Sequence, residues 1–278
     1  MSEQEYGMAQ QPRFILPQLS TDPSFTPEEM ADDLDGLQLS FPVIKIPGGG
    51  SLQFELPSDN PDDPDYAKTL EGVLLYSHNA NAYWPAGSEH DENVPPLCQS
   101  VDGKMGFGEP GGTCADCRMN QYGTSEKGTN GKACKNMRVL YLLRSGESMP
   151  IQINLPPTSI EPYTKFVNTA FLLRQRRIFS GVVQISLTRE TNTRIGKDYS
   201  VAKFTKFYNF EGEELAKIRT YATGFIEQVK TMNQQRAVAK EASASIVEGV
   251  EGHTALPDNG DHFSVGSVID GEREKLPA

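Results

Sequence analysis

The chain contains no apolar run approaching the ~18 consecutive residues that a membrane-spanning helix requires. Its first residues, MSEQEYGMAQQPRF, hold no basic stretch leading into an apolar one, so no secretory signal is read and a cytoplasmic location is expected. Histidine is scarce, with only His78, His90, His253 and His262. Cysteine is absent outside positions 98–134, and in a reducing compartment four thiols suit metal ligation better than disulfides. Also missing are a GxxxxGK[ST] phosphate loop, a GxSxG elbow, an HExxH helix and the HxE–PCxxC pairing of deaminases. These absences remove the common routes to nucleotide hydrolysis, acyl transfer and zinc-dependent hydrolysis. The chain is expected not to be an enzyme.

What is present is unevenly charged. The 278 residues carry a net charge of −11, but residues 98–240 hold 21 Lys/Arg against 12 Asp/Glu. Residues 1–97 hold 3 against 17, and residues 241–278 hold 2 against 8. A basic middle between acidic ends points to a polyanion, because local potential at one face governs attraction and whole-chain charge does not. The bland alternative is a basic folded part kept soluble by acidic ends.

Residues 1–36, rich in Gln, Pro, Asp and Glu, read as a flexible acidic arm, and 242–278 as a disordered acidic tail. Between them the body, 37–210, reads mainly as β. Phe41–Ile46 and Ser51–Leu56 flank Pro47–Gly50 and predict a hairpin, followed by an exposed loop over Pro57–Asp65. Further strands are expected at Leu70–Tyr83, Arg138–Arg144, Ile151–Leu155, Gly181–Arg189 and Tyr199–Phe210, the last two joined by a turn over Asn192–Asp198. One helix interrupts them, with Ser159 as N-cap, Pro162 in its first turn and Arg174, Arg176 and Arg177 at its end. A second helix over 211–241 carries Leu215, Ile218, Ala222, Phe225, Val229 and Met232 as a heptad seam. That seam either covers the sheet or, over 215–232, pairs with a second copy.

The cysteines follow the pattern Cys98-x15-Cys114-x2-Cys117-x16-Cys134. A CxxC pair lets two thiolates converge from one tight turn, and two more can complete a tetrahedron around zinc. Gly103, Gly106, Gly108, Gly111, Gly112, Gly123, Gly128 and Gly131 crowd the same window, which has little core of its own and needs a staple. Four thiolates leave no open coordination position, so a structural zinc is expected. A redox pair or an iron–sulfur cluster is the alternative, and His90 competes as fourth ligand.

The loop between the ligands is basic and interleaved with amides and aromatics, through Arg118, Asn120, Tyr122, Lys127, Lys132, Lys135, Asn136 and Arg138. Such residues suit phosphate and base contacts, and strand Tyr199–Phe210 interleaves lysines with aromatics as single-strand binders do. The candidate phosphate contacts are Lys132, Lys135, Arg138, Arg174, Arg176, Arg177, Lys203 and Lys206; the candidate stacking residues are Tyr122, Phe204 and Tyr208. Two rivals stand beside this reading. One is a protein-interaction module, such as a transcription regulator or host-enzyme inhibitor. The other is a zinc-dependent HNH-like nuclease centred on His78 in SHNANAYW, with Asn79 orienting it.

The stretch GGTCADCRMNQYGTSEKGTNGKACKNMRVLYLL, Gly111–Leu143, resembles the CxxC…NxxG[ST]…GKxC…RxL core of a group of uncharacterised phage and mobile-element proteins. The likeness extends over about residues 40–215. More distantly the plan resembles zinc-containing phage single-stranded DNA-binding proteins, which join an OB-type barrel to a zinc subdomain and an acidic tail. That resemblance implies a partly open OB-like barrel with a zinc subdomain at 98–134, a chain that coats single-stranded DNA in replication or recombination, and a host-cytoplasmic location. It also implies a tail that recruits replication or recombination proteins. The cysteine spacing, the all-cysteine ligand set and the ending GEREKLPA depart from the best-known member.

Overall fold

A computed structural model describes residues 14–16, 41–60, 62–84, 94–125, 130–193 and 196–248, with side chains placed to residue 235. The protein is mainly β. Among the described residues there are eleven strands: β1 (Val43–Lys45), β2 (Phe54–Leu56), β3 (Asp65–Ala67), β4 (Thr69–Tyr83), β5 (Cys98–Ser100), β6 (Met105–Gly108), β7 (Gly112–Thr113), β8 (Lys135–Leu143), β9 (Ile151–Leu155), β10 (Gly181–Asn192) and β11 (Lys197–Asn209). Two helices accompany them, α1 (Pro157–Ala170) and α2 (Gly212–Glu248).

β4 organises the sheet because it is long enough to serve three partners. On one edge it runs antiparallel to β8; on the other it pairs with β10 over Thr69–Val73 and with β5 over Asn81–Tyr83. Its register against β8 slips between Leu74 and Tyr76, where Leu75 is the extra residue. A bulge of this kind bends and twists a strand, and here it lets β4 leave β10 and turn toward β5. The sheet continues from β8 to β9 antiparallel and from β9 to β1 in parallel, so the sheet is mixed. Gly72 permits the close approach of β8, since a Cβ there would stand 2.2 Å from the Leu143 carbonyl oxygen.

Alternation along these strands sorts the apolar residues into two cores. The inner one gathers Leu74, Leu140, Leu142, Ile153, Val183, Ile185 and Phe204, closed by Tyr163 and Phe171 at α1 and by Ile44 and Phe54. The outer one places Val73, Leu75, Val139, Tyr141 and Leu143 under Ile218, Ala222, Phe225 and Val229 of α2. β8 is thus apolar on both faces, as its run of leucines predicts for a central strand. Replacing Phe225 by Ala removes a ring that packs edge-on against both Tyr141 and Phe41. The expected cost is about 3–5 kcal/mol, read as a lower denaturant midpoint at unchanged slope.

Several expectations need correction. Phe41–Ile46 and Ser51–Leu56 do not form a hairpin with each other: β1 joins β9, and β2 joins β3 in a separate two-stranded ribbon. The α1 cap is Pro156, with Pro157 as the first helical residue, and Pro162 lies inside the helix. Ser159 is fully buried, and its Oγ instead accepts the Ala202 N–H of β11 at 3.0 Å. α1 ends at Ala170, before the arginines, and the chain turns through Gln175 in the left-handed region (φ 52°). Of the two roles open to the seam of α2, covering its own sheet is the one seen for Ile218, Ala222, Phe225 and Val229, which are buried there. Most of the acidic arm and the tail beyond Glu248 lie outside the described residues. Within the arm, Phe14 is buried in the outer core, its N–H donating to Tyr208 Oη at 2.8 Å.

Candidate nucleic-acid interface and cysteine cluster

The connection from β4 to β8 carries β5, β6, β7 and all four cysteines. Cys98 opens β5, Cys114 follows β7, Cys117 precedes a single 3-10 turn at Arg118–Asn120, and Cys134 stands just before β8. Short backbone bonds hold this unit together. Cys114 N–H donates to the Lys104 carbonyl and Cys134 N–H to the Met119 carbonyl, each at 2.8 Å. Asn120 Nδ2 ties the Cys114 carbonyl at 2.7 Å. A Cβ on Gly106 would lie 2.9 Å from Cys98 Sγ, so glycine there leaves that sulfur its place.

All four cysteines are free thiols and line one cavity of about 10 Å³, room for a single water-sized sphere. Burial pushes the Cys98 thiol up, as does the charge of Cys114 and Cys117, while the Gly111 N–H directed at its sulfur opposes this. Burial, with the other three cysteines, pushes Cys134 up to about 11. Among the described residues no three His, Cys, Asp or Glu side chains already stand in ligand geometry around one point. The donor set fits a soft, tetrahedral cation. His90 lies outside the described residues, as do Lys127, His253 and His262.

The structure divides the candidate DNA contacts into two groups. At the cysteine unit, Lys132 Nζ bonds Asn120 Oδ1 at 3.2 Å and stands 5.0 Å over the ring of Tyr122, which is 80% exposed. Lys135 lies 5.2 Å over Trp84. Arg138 turns into the sheet, where it donates to Asn79 Oδ1 and Ser77 Oγ and lies 5.9 Å from the Tyr163 ring. The second group sits about two helical turns along α1 from Tyr163. There Arg174 Nε and Lys206 Nζ donate to the Thr169 and Ala170 carbonyls at the helix end. Burial holds Lys206 below its usual value, assisted by the positive charges of Arg174 and Arg176. Arg176 reaches Glu211 at 3.8 Å, Arg177 lies over Phe179, and Leu172 and Leu173 are exposed beside them. Lys203 is exposed on β11.

Two stacking expectations are corrected. Phe204 is buried in the inner core against Tyr163 and Phe166, and Tyr208 is half-buried with its hydroxyl engaged by Phe14. Both faces of β11 are needed by a core, which interleaved lysines do not reveal. His78 is likewise committed. Its ring stacks beside Tyr76 and Tyr141, Nδ1 meets the Asn79 carbonyl at 2.9 Å and Nε2 the Tyr141 hydroxyl at 3.3 Å. Burial, reinforced by Arg138, holds its imidazole below the ordinary value. Among the described residues it is the one histidine; Asp102 shares its pocket, and no group of three metal-ligating side chains forms there.

One feature escaped the sequence reading. Asn79, Asn81 and Asn136 project from β4 and β8 into a groove of about 410 Å³ between the sheet and the cysteine unit, with Asn120 and Lys104 on the facing side. The signal was the polar alternation Ser77, Asn79, Asn81 in a strand whose other half is apolar. No family model matches the chain, and no curated protein and no solved structure resembles it significantly.

Proposed function

We propose that the chain is a single-stranded DNA-binding protein that coats strands during replication or recombination of a phage or mobile element, with a structural zinc held by Cys98, Cys114, Cys117 and Cys134. The observation that carries this reading is where the cysteine unit sits. The run β9–β8–β4–β10–β11, with α1 entering before β10, supports an OB-like, partly open five-stranded barrel. In such barrels the connection between the first two strands, the face of the second and third, and the final hairpin bind oligonucleotides. Counted that way, the cysteine unit is the first connection. It presents Lys132, Tyr122 and Lys135 beside β8, a basic and aromatic combination that suits phosphates and base faces together. Zinc with four thiolates has no open position, which suits a staple for this connection and not a catalytic centre.

The test is fluorescence anisotropy of a labelled dT strand of roughly 30 nucleotides, long enough for several OB-fold site sizes. It is titrated at about 50 and 200 mM salt beside a duplex of equal length. Preferential binding of the single strand, weakening with salt, is expected. Equal or absent binding to both forms defeats the reading and favours a protein partner, for which the exposed Leu172 and Leu173 among arginines are the natural contact.

A further inference from the structure

We propose that the groove between β4, β8 and the cysteine unit is a base-edge reading subsite that makes binding sequence-dependent, with adenine as the preferred base. The inference rests on the single-strand reading and departs from sequence-tolerant coating.

The side chains lining the groove are unlike a stacking platform. Amides dominate, and they are held in place. Asn81, only 5% exposed, donates through Nδ2 to the Gly103 carbonyl at 3.4 Å and accepts Asn136 Nδ2 at 2.8 Å. Asn79 Oδ1 accepts Arg138 at 2.8 Å. These bonds leave Asn79 Nδ2 as a donor and Asn136 Oδ1 as an acceptor, diagonal to each other on one face, with the Ala80–Met137 rung between theirs. A fixed donor and a fixed acceptor lining one groove suit the N7 acceptor and N6 amino donor of adenine, the two groups that a single asparagine amide reads elsewhere. Arg138 adds a second indication. Its Nε is buried without a partner, and among the described residues it makes no ion pair. A half-buried guanidinium without a counter-ion is open to an anion, and a phosphate passing the groove mouth supplies one.

The experiment uses the full chain and three labelled strands of equal length. One is all dT, one carries adenine at every fifth position, and one carries purine there, which lacks the N6 amino group. The adenine strand is expected to bind roughly 5- to 10-fold tighter than the other two, the lower part of the discrimination a good base-edge contact provides. Asn79→Ala and Asn136→Ala are each expected to return that ratio to about one. Asn79 is exposed, so its variant reports on reading even if Asn136→Ala harms folding. Equal binding of all three strands by the unmodified chain overturns the subsite and leaves the single-strand reading standing. An adenine preference that survives both substitutions also overturns it. No binding to any strand overturns both.

Discussion

Replacing Cys114 and Cys117 together by serine is expected to abolish zinc binding, leave the sheet folded and loosen the chain from Cys98 to Cys134. The reason lies in where this unit gets its order. Cys114 and Cys134 are buried, yet neither belongs to the inner or the outer core, so the sheet does not depend on them. The unit has almost no apolar interior, and Gly103, Gly108, Gly111, Gly112 and Gly123 all take positive φ, a conformation whose entropy must be offset by something else. Structural zinc supplies apparent binding free energies of order 10 kcal/mol to small domains that cannot fold without it. In the protein with zinc bound, metal analysis should find one ion per chain and trypsin should cut slowly after Arg118 and Lys132. In the double variant, or after strong chelation, the metal is lost and cleavage at those two sites accelerates by orders of magnitude. The thermal transition of the sheet should move little. A purified chain without zinc, whose cleavage is indifferent to both changes, removes the staple and with it the assignment of these four residues.

How far the sequence reveals this arrangement depends on whether local pattern also encodes the partner. β4 and β8 were legible as continuous apolar runs, β9 by its alternation, and the β10–β11 hairpin because one short turn joins its strands. β1 and β2 have the same alternation on either side of a glycine-rich turn, but the parallel edge of β9 and the strand β3 claim them, and nothing local states that. Ser159 looks like a cap because hydroxyls before an apolar run commonly are. Burial against β11 gave it a different bond, to an amide at a sheet edge that would otherwise lack an acceptor. Phe204 and Tyr208 show the same limit, since an aromatic between lysines is read as exposed until a second layer covers it. The amide groove was out of reach for a further reason. Its donor and acceptor come from β4 and β8, 57 positions apart in the case of Asn79 and Asn136, and only pairing brings them together.

Neutralising four cations, Lys132, Lys135, Arg174 and Arg176, is expected to flatten the salt dependence of single-strand binding far more than it disturbs the fold. Each phosphate neutralised on a single strand contributes a slope of about −0.7 in log affinity against log salt. Four lost contacts therefore reduce the slope by roughly 2.8, so the ratio of affinities at about 50 and 200 mM salt shrinks roughly 50-fold. The fold should tolerate the changes because none of these side chains belongs to either core. The two pairs separate the ends of the track. Lys132 and Lys135 lie over Tyr122 and Trp84 at the cysteine unit, where a phosphate and a base face can be met together. Arg174 and Arg176 crowd Lys206, a repulsion that an approaching phosphate relieves. If the alanine pair at each end lowers the slope by about 1.4, one strand runs from the cysteine unit past the end of α1. If only the Lys132/Lys135 pair does, the strand is confined to the cysteine unit and the arginines beside Leu172 and Leu173 are free to meet an acidic protein. A slope untouched by all four removes phosphate from this face, and the basic middle of the chain must then be explained by a protein partner alone.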